Sequence, residues 1–321
     1  MGSKDENLVI AVDGASGYLG NHLVAMLAKK NLPVRAIVHE KAAAEDCEFL
    51  LSTGAELFKC ELNESSQNLK SALEGVSCLV HLVGSIAPKK GEKLEDLHAG
   101  QLKGVLSACR NSKTKIVLIT ALGSSSKADS LYHRSKFESE SLLIASGLPY
   151  VILRPSLIIG KEVGRRNSKL ISRYLHLIET RPRIPLVAGG KSLLQPVYIA
   201  DLCEAIYKTA TSEIYNGKII EIGGPEQLSL ADLVKVLMQL QGKEKPLLAI
   251  PSTLAYAAAG VLELFQTVPL LSKDQVKLAL KDNICTNNEF ETILGKKSVG
   301  LKEAIDSYSK KEARQGAQCG K

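Results

Sequence analysis

The chain has 321 residues, 45% of them hydrophobic and 23% charged, enough for a sizeable core in one or two domains. Its formal charge of +7, from 41 basic and 34 acidic side chains, is too mild for a nucleic-acid footprint, and no basic–aromatic interleaving accompanies it. Seven cysteines without any C-x-x-C spacing argue against a disulfide scaffold or a zinc cluster, predict no metal, and fit a reducing, cytoplasmic setting.

Met1–Asn7 is polar and has no apolar signal-peptide core; Glu6 stands where a myristoylation signal wants Ser or Thr. Residues 8–12 are apolar and mostly β-branched, as a strand covered on both faces should be. Gly14, Gly17 and Gly20 then recur at intervals of three, and a helix is predicted from Tyr18 to about Lys30. Glycines so placed allow a tight turn, close backbone approach to a pyrophosphate and close helix–strand packing. The positive end of the helix would face that pyrophosphate.

Further strands are predicted at Pro33–Val38, Ala55–Lys59, Ser77–Val83, Lys115–Thr120 and Tyr150–Leu153. Between them lie helices at Lys41–Ser52, Glu64–Glu74, Glu92–Arg110 and Ser130–Ser146, two of them closed by Gly75 and Gly147. Strict alternation implies an α/β fold, a doubly wound parallel sheet of Rossmann type, over residues 1–160. Cys78 and Cys109 fall in apolar runs and read as core.

The pattern changes after Gly160. Residues 161–183 carry seven basic side chains against Glu162 and Glu179. A solvated helix face is the preferred reading, and contact with a membrane or an anionic partner the alternative. Lys218–Ile222 reads as a seventh strand, so that 193–222 returns to the first domain. Residues 161–321 otherwise form a smaller, mostly helical substrate or partner domain. Its candidate helices are Leu230–Leu240, Leu254–Phe265, Lys273–Lys281 and Leu301–Tyr308, before a polar tail from Lys310. The apolar stretch Leu254–Leu262, extended by Phe265 and Val268–Leu271, is interrupted by Glu263, Gln266 and Pro269. It reads as a buried or interfacial helix, not a span.

The fifth strand is followed by Ala121-Leu122-Gly123-Ser124, then Tyr132-His133-Arg134-Ser135-Lys136. Tyr132 and Lys136 share a helix face. An ammonium beside a phenol would lower the phenol's pKa from about 10 and suit it to exchange a proton with a substrate hydroxyl or carbonyl. His133 would point off that face and be exposed; His22 reads as a surface or packing residue, and His98 and His176 have no partners at metal spacing.

These features together resemble the short-chain dehydrogenase/reductase superfamily, in its extended and atypical, NmrA-like branches. The chain looks most like bacterial relatives of the nucleotide-binding accessory subunit of respiratory complex I. The resemblance spans about residues 7–225 and rests also on His81-Leu-Val-Gly84, Arg154-Pro155-Ser156, Gln195–Asp201 and Ile222–Pro225. It implies Tyr132 and Lys136 as catalytic residues. It implies cofactor contacts at Gly14, Ser16, Gly17, Tyr18, Leu19, Gly20, His39, Glu61, Leu62, Val83, Gly84, Lys136 and Pro155. Tyr198 would border the substrate cleft or pack. One departure stands out: Ala121 occupies the strand-end position of the family's catalytic Ser or Thr, with Thr120 before it and Ser124 after it.

At the end of the second strand His39, with Lys41 nearby, replaces the acid that would bond an NAD ribose and repel a 2′-phosphate, which favours NADP(H) over NAD(H). The expected activity is hydride transfer between a nicotinamide and a small, lipophilic carbonyl or alcohol. The alternative is a non-catalytic cofactor-binding accessory or redox-sensing protein on a membrane-associated complex. A homodimer is expected by analogy with such folds.

Overall fold

A computed structural model describes residues 8–86, 91–266 and 271–308. The polar N-terminal segment, apolar residues 268–270, Cys319 and the tail from 310 lie outside these. The chain begins with β1 (Ile10–Asp13), α1 (Tyr18–Lys29), β2 (Val34–Val38), α2 (Ala44–Ser52), β3 (Glu56–Lys59) and α3 (Gln67–Leu73). It continues through β4 (Cys78–His81), a π-turn at Asp96–Gly100, α4 (Gln101–Ala108), β5 (Lys115–Ile119), α5 (Leu131–Ala145) and β6 (Tyr150–Pro155). Next come β7 (Ile158–Ile159), α6 (Lys169–Thr180), β8 (Ile184–Val187), β9 (Leu193–Leu194), β10 (Val197–Tyr198), α7 (Ile199–Thr211) and β11 (Lys218–Ile222). The last are β12 (Leu228–Ser229), α8 (Leu230–Leu240), β13 (Leu247–Ile250), α9 (Ser252–Phe265), α10 (Lys273–Ala279), α11 (Phe290–Leu294) and α12 (Leu301–Asp306).

Seven strands form one parallel sheet in the order β3-β2-β1-β4-β5-β6-β11. The doubly wound fold expected from the alternation is therefore present. Chain direction across the sheet reverses between β1 and β4, where such sheets open a crevice beyond their carboxyl ends. Alternate residues feed the two faces: Ile10 and Val12 pack with Leu23, Ile206 and Phe290 on one, Ala11 with Leu79, Leu102 and Leu143 on the other. Cys78 and Cys109 are buried, as expected.

Two details differ from the sequence reading. The described part of residues 226–308 is mostly helical, as expected, but it also holds two short strands: β12 pairs with β9, and β13 pairs with β8. Leu247–Ile250 is a four-residue apolar run between two prolines, too short for a helix. The strand after α5 runs on to Pro155, because its carbonyl still accepts Leu122 N–H (3.1 Å) at the sheet end. Arg165 and Arg166 of the basic stretch stay exposed, as the preferred reading has it, while pairing with Glu45 (2.9 Å) and with buried Asp46 (3.0 Å) on α2.

Candidate functional site at the switch point

Gly14 leaves β1 with φ +62°, and a Cβ there would sit 3.2 Å from Val83 N. At Gly20 a Cβ would lie 2.4 Å from Gly14 O and 2.6 Å from Ala15 O, so α1 packs directly on the turn it leaves. The first helical bond of α1 runs from Asn21 N–H to Gly17 O (2.9 Å). The N–H groups of Tyr18, Leu19 and Gly20 are thus left without a helical acceptor, and no acidic side chain stands in that first turn. Ser16 and Gly17 are part-buried beside them. A cradle of this shape and polarity fits a pyrophosphate.

The last residue of β1 is a buried carboxylate. Asp13 Oδ1 accepts Leu82 N–H (2.8 Å) and Val83 N–H (3.4 Å), and Oδ2 accepts His81 Nδ1–H (2.5 Å). Asp13 thereby fixes the segment through Val83 and Gly84. An acid closing an apolar strand was a readable signal, and sequence reasoning passed over it.

Lys136 is buried, and its ammonium donates to Val83 O and Ile119 O, both at 3.3 Å, tying the ends of β4 and β5. Burial pulls its pKa down from 10.5 to about 8, against the opposing charges of Asp13 and Glu140. A Cβ on Gly84 would lie 2.7 Å from Lys136 Nζ and 3.0 Å from His98 Nε2, so these groups meet at one point. One turn earlier on α5 the part-buried Tyr132 ring lies edge-on to His98, centroids 5.6 Å apart. Burial pushes the Tyr132 phenol up to about 12. The expected lowering by Lys136 is not realised, because that ammonium is committed to two strand-end carbonyls. Among the described residues the Tyr132 hydroxyl makes no hydrogen bond.

His98 is brought in by the π-turn, a bulge often found at functional positions. Its Nδ1–H donates to Ser135 Oγ (2.7 Å), whose hydroxyl donates to Tyr132 O (2.9 Å), and its Nε2 accepts Ser85 N–H (3.2 Å). Burial, then the charges of Lys136 and His81, push its pKa down to about 3. His98 is therefore neutral and has close partners. His133 is not exposed either: its ring packs on Gly123, where a Cβ would be 3.1 Å away, and burial lowers its pKa.

Neither Thr120 nor Ser124 offers a free hydroxyl in place of the missing strand-end Ser or Thr. Thr120 Oγ1 donates to buried Glu140 (2.7 Å), which also accepts Arg154 Nε (2.9 Å) and Nη2 (2.5 Å). Ser124 Oγ donates to Ala121 O (2.7 Å).

Toward the other sheet edge, His39 Nε2 lies 3.1 Å from Glu61 Oε1, and its Nδ1 accepts Lys41 N–H (3.0 Å). Arg35 faces away, bonded to Glu56 and to the carbonyls of Ala72 and Glu74. The Tyr18 side chain also turns from the cradle, since its hydroxyl donates to Gly160 O (2.5 Å), while Gly160 N–H donates to Tyr308 Oη (2.9 Å). Only the Tyr18 main chain remains for a cofactor there. In sheet order the candidate contacts form a row. Glu61 and Leu62 lie past β3, His39 past β2, the glycine turn past β1, Val83 and Gly84 past β4, Lys136 at β5 and Pro155 at the end of β6. Among the described residues no group of His, Cys, Asp and Glu is arranged to hold a metal. No helix among them is long and apolar enough to cross a membrane.

Residues 14–173 match the NAD(P)H-binding family. The chain is 21% identical over 300 residues to the mitochondrial NADH dehydrogenase (ubiquinone) 1 alpha subcomplex subunit 9 of Arabidopsis thaliana, covering 89% of this chain and 73% of that protein. It is 26% identical over 279 residues to 4-hydroxy-2-methyl-3-oxo-4-farnesyl-3,4-dihydroquinoline-1-oxide ketoreductase of Stigmatella aurantiaca, covering 78% and 79%. Among solved structures, the NADPH-dependent quinone oxidoreductase QOR2 of Escherichia coli, complexed with NADPH, superposes with a TM-score of 0.72 at 20% identity, over 94% of this chain and 100% of that one. UDP-glucuronic acid 4-epimerase of Bacillus cereus, bound to NAD, gives 0.71 at 19% identity, over 94% and 98%. The resemblance drawn from the sequence motifs is borne out.

Proposed function

Residues 14–173 belong to the NAD(P)H-binding family, and on that premise we propose that the protein is an NADP(H)-dependent reductase of a lipophilic carbonyl compound. The observation that carries the proposal is the unbonded Tyr132 hydroxyl, one helical turn from Lys136 at the carboxyl edge of the sheet. The glycine turn would hold the pyrophosphate, Val83, Gly84 and Pro155 the nicotinamide end, and Glu61 and Leu62 the adenine. When bound, the cofactor supplies the hydride. Tyr132, kept protonated by burial, donates its proton to the carbonyl oxygen as that oxygen gains negative charge. The Lys136 ammonium, held at the ends of β4 and β5, would bond the nicotinamide ribose. A lipophilic substrate is supported by the farnesylated compound named for the ketoreductase relative.

The preference for NADP(H) rests on residue 39. No carboxylate stands there, its imidazole engages Glu61, and Lys41 follows. Calorimetric titration with NADPH and with NADH tests this; tighter NADH binding overturns the preference. For the reaction, Tyr132→Phe should lower turnover by about 10²–10⁴-fold while NADPH affinity stays nearly unchanged. Equal loss of both would remove the assigned role.

A second reading, a cofactor-binding accessory protein of a membrane-associated assembly, is favoured by one observation. Ala121 stands at the strand end, and the hydroxyls on either side of it are bonded internally. The relatives named as NADH dehydrogenase subunits support it. Failure of Tyr132-dependent NADPH oxidation across a panel of lipophilic ketones, with NADPH still bound, would select this reading.

A further inference from the structure

We infer that the outer face of α9 docks on an anionic lipid bilayer; the inference holds whether or not the dinucleotide site turns over. α9 rests on the molecule through Ala255 and Ala259, which pack with Val276 of α10. On the opposite side Leu254 is 58% exposed, Val261 56% and Phe265 83%. Ala257 and Ala258 complete that face and are exposed as well. It carries no charge: the single ionised side chain of α9, Glu263, is turned back to accept Lys273 N–H (2.7 Å). A helix that spends its small residues inward and its large apolar ones outward is arranged for something other than its own core.

Charge identifies the occupant. α10 lies alongside, with the Lys273 ammonium 5.6 Å above the Tyr256 ring. Lys277 and Lys281 then border a groove shared with Lys127 and Arg134. Asp129 is the single carboxylate in that groove, and Lys281 pairs with it (3.1 Å). An uncharged apolar face flanked by Lys273, with Lys277 on the neighbouring α10 and Lys281 just past its end, is the pattern of a helix lying in the headgroup layer of an anionic membrane. At 14 residues the helix is about 21 Å long, short of the roughly 30 Å hydrocarbon layer, so it lies on the bilayer and does not cross it.

The test is flotation of the full-length protein with phosphatidylglycerol–phosphatidylcholine vesicles at low salt, beside vesicles of phosphatidylcholine alone. The protein should rise with the anionic vesicles only, and raising the salt should release it. The double variant Val261→Glu, Phe265→Glu should lose at least about tenfold in bound fraction. Both positions are exposed, so its thermal transition should match the parent and show that the fold is intact. Absence of flotation at low salt, or flotation indifferent to the two glutamates, overturns the inference. Light scattering that shows a dimer dissolved by Val261→Glu also overturns it and assigns the face to a second copy.

Discussion

Asp274 on α10 caps the helix that carries Tyr132, accepting the Tyr132 N–H at 3.1 Å through Oδ2. Its other oxygen accepts Leu131 N–H at 2.7 Å. The first turn of α5 is thus closed by an element 142 residues away in sequence, beside its own N-cap, Ser130. Asp274→Ala leaves two helix-end donors without that acceptor and should cost about 1 kcal/mol, read as a lowered urea midpoint. Because Tyr132 sits on the affected turn, turnover should fall further than NADPH affinity does.

Lys136 sets the pH dependence. Its pKa is pulled down to about 8, and the charged form is the one that would hold the nicotinamide ribose beside Tyr132. Carbonyl reduction should therefore be level below about pH 8 and fall about tenfold per unit above it. Stability runs the other way in that window. From about 8 to the ordinary 10.5 the folded lysine has lost its proton while the unfolded one keeps it. The unfolded chain then binds more protons, and stability rises with pH. Below about 8 both states are charged, and the cost of burying the ammonium is at its full value. Denaturation midpoints at pH 7 and pH 10, compared with those of Lys136→Met, check this contribution.

Glu140 is the buried centre of the Thr120–Glu140–Arg154 cluster. Glu140→Gln leaves the Arg154 guanidinium without its carboxylate and should destabilise the fold by about 3 kcal/mol. Thr120→Ala removes one bond and leaves the ion pair, so about 1 kcal/mol is expected. If Thr120→Ala instead lowered turnover sharply at unchanged stability, its hydroxyl would be acting on substrate.

Gly20→Ala would place a methyl group against the backbone oxygens of Gly14 and Ala15. Neither oxygen can withdraw without reshaping the turn. NADPH binding should drop below detection in calorimetry, whereas Gly54→Ala, at a position with open space but φ +87°, should cost modest stability and leave binding intact.

The sheet was legible because its inner strands are continuous apolar runs: β1, β4 and β5 are buried along their whole length, and β11 has the bounds read from sequence. The glycine turn was legible for the same local reason. What could not be read depends on distant partners. The Tyr132–Lys136 spacing suggested a charged neighbour for the phenol, but carbonyls 53 and 17 residues from Lys136 decide where the ammonium goes. His98 looked partnerless because a π-turn, which no side-chain periodicity announces, turns it toward Ser135. The β8–β13 pair joins Ile184 to Leu247 across some sixty residues, with no hairpin signal between them.

Tyr18 and Tyr308 meet at Gly160, one bonding its carbonyl and the other its N–H. The ribosome delivers Tyr308 after every strand of the sheet, so the cradle at the start of α1 receives its outer brace only after the sheet has been made. Domains generally begin to fold as they emerge, and the sheet through β6 can do so here. The ligand cradle then matures after the sheet, and tight dinucleotide binding waits for the segment that carries Tyr308.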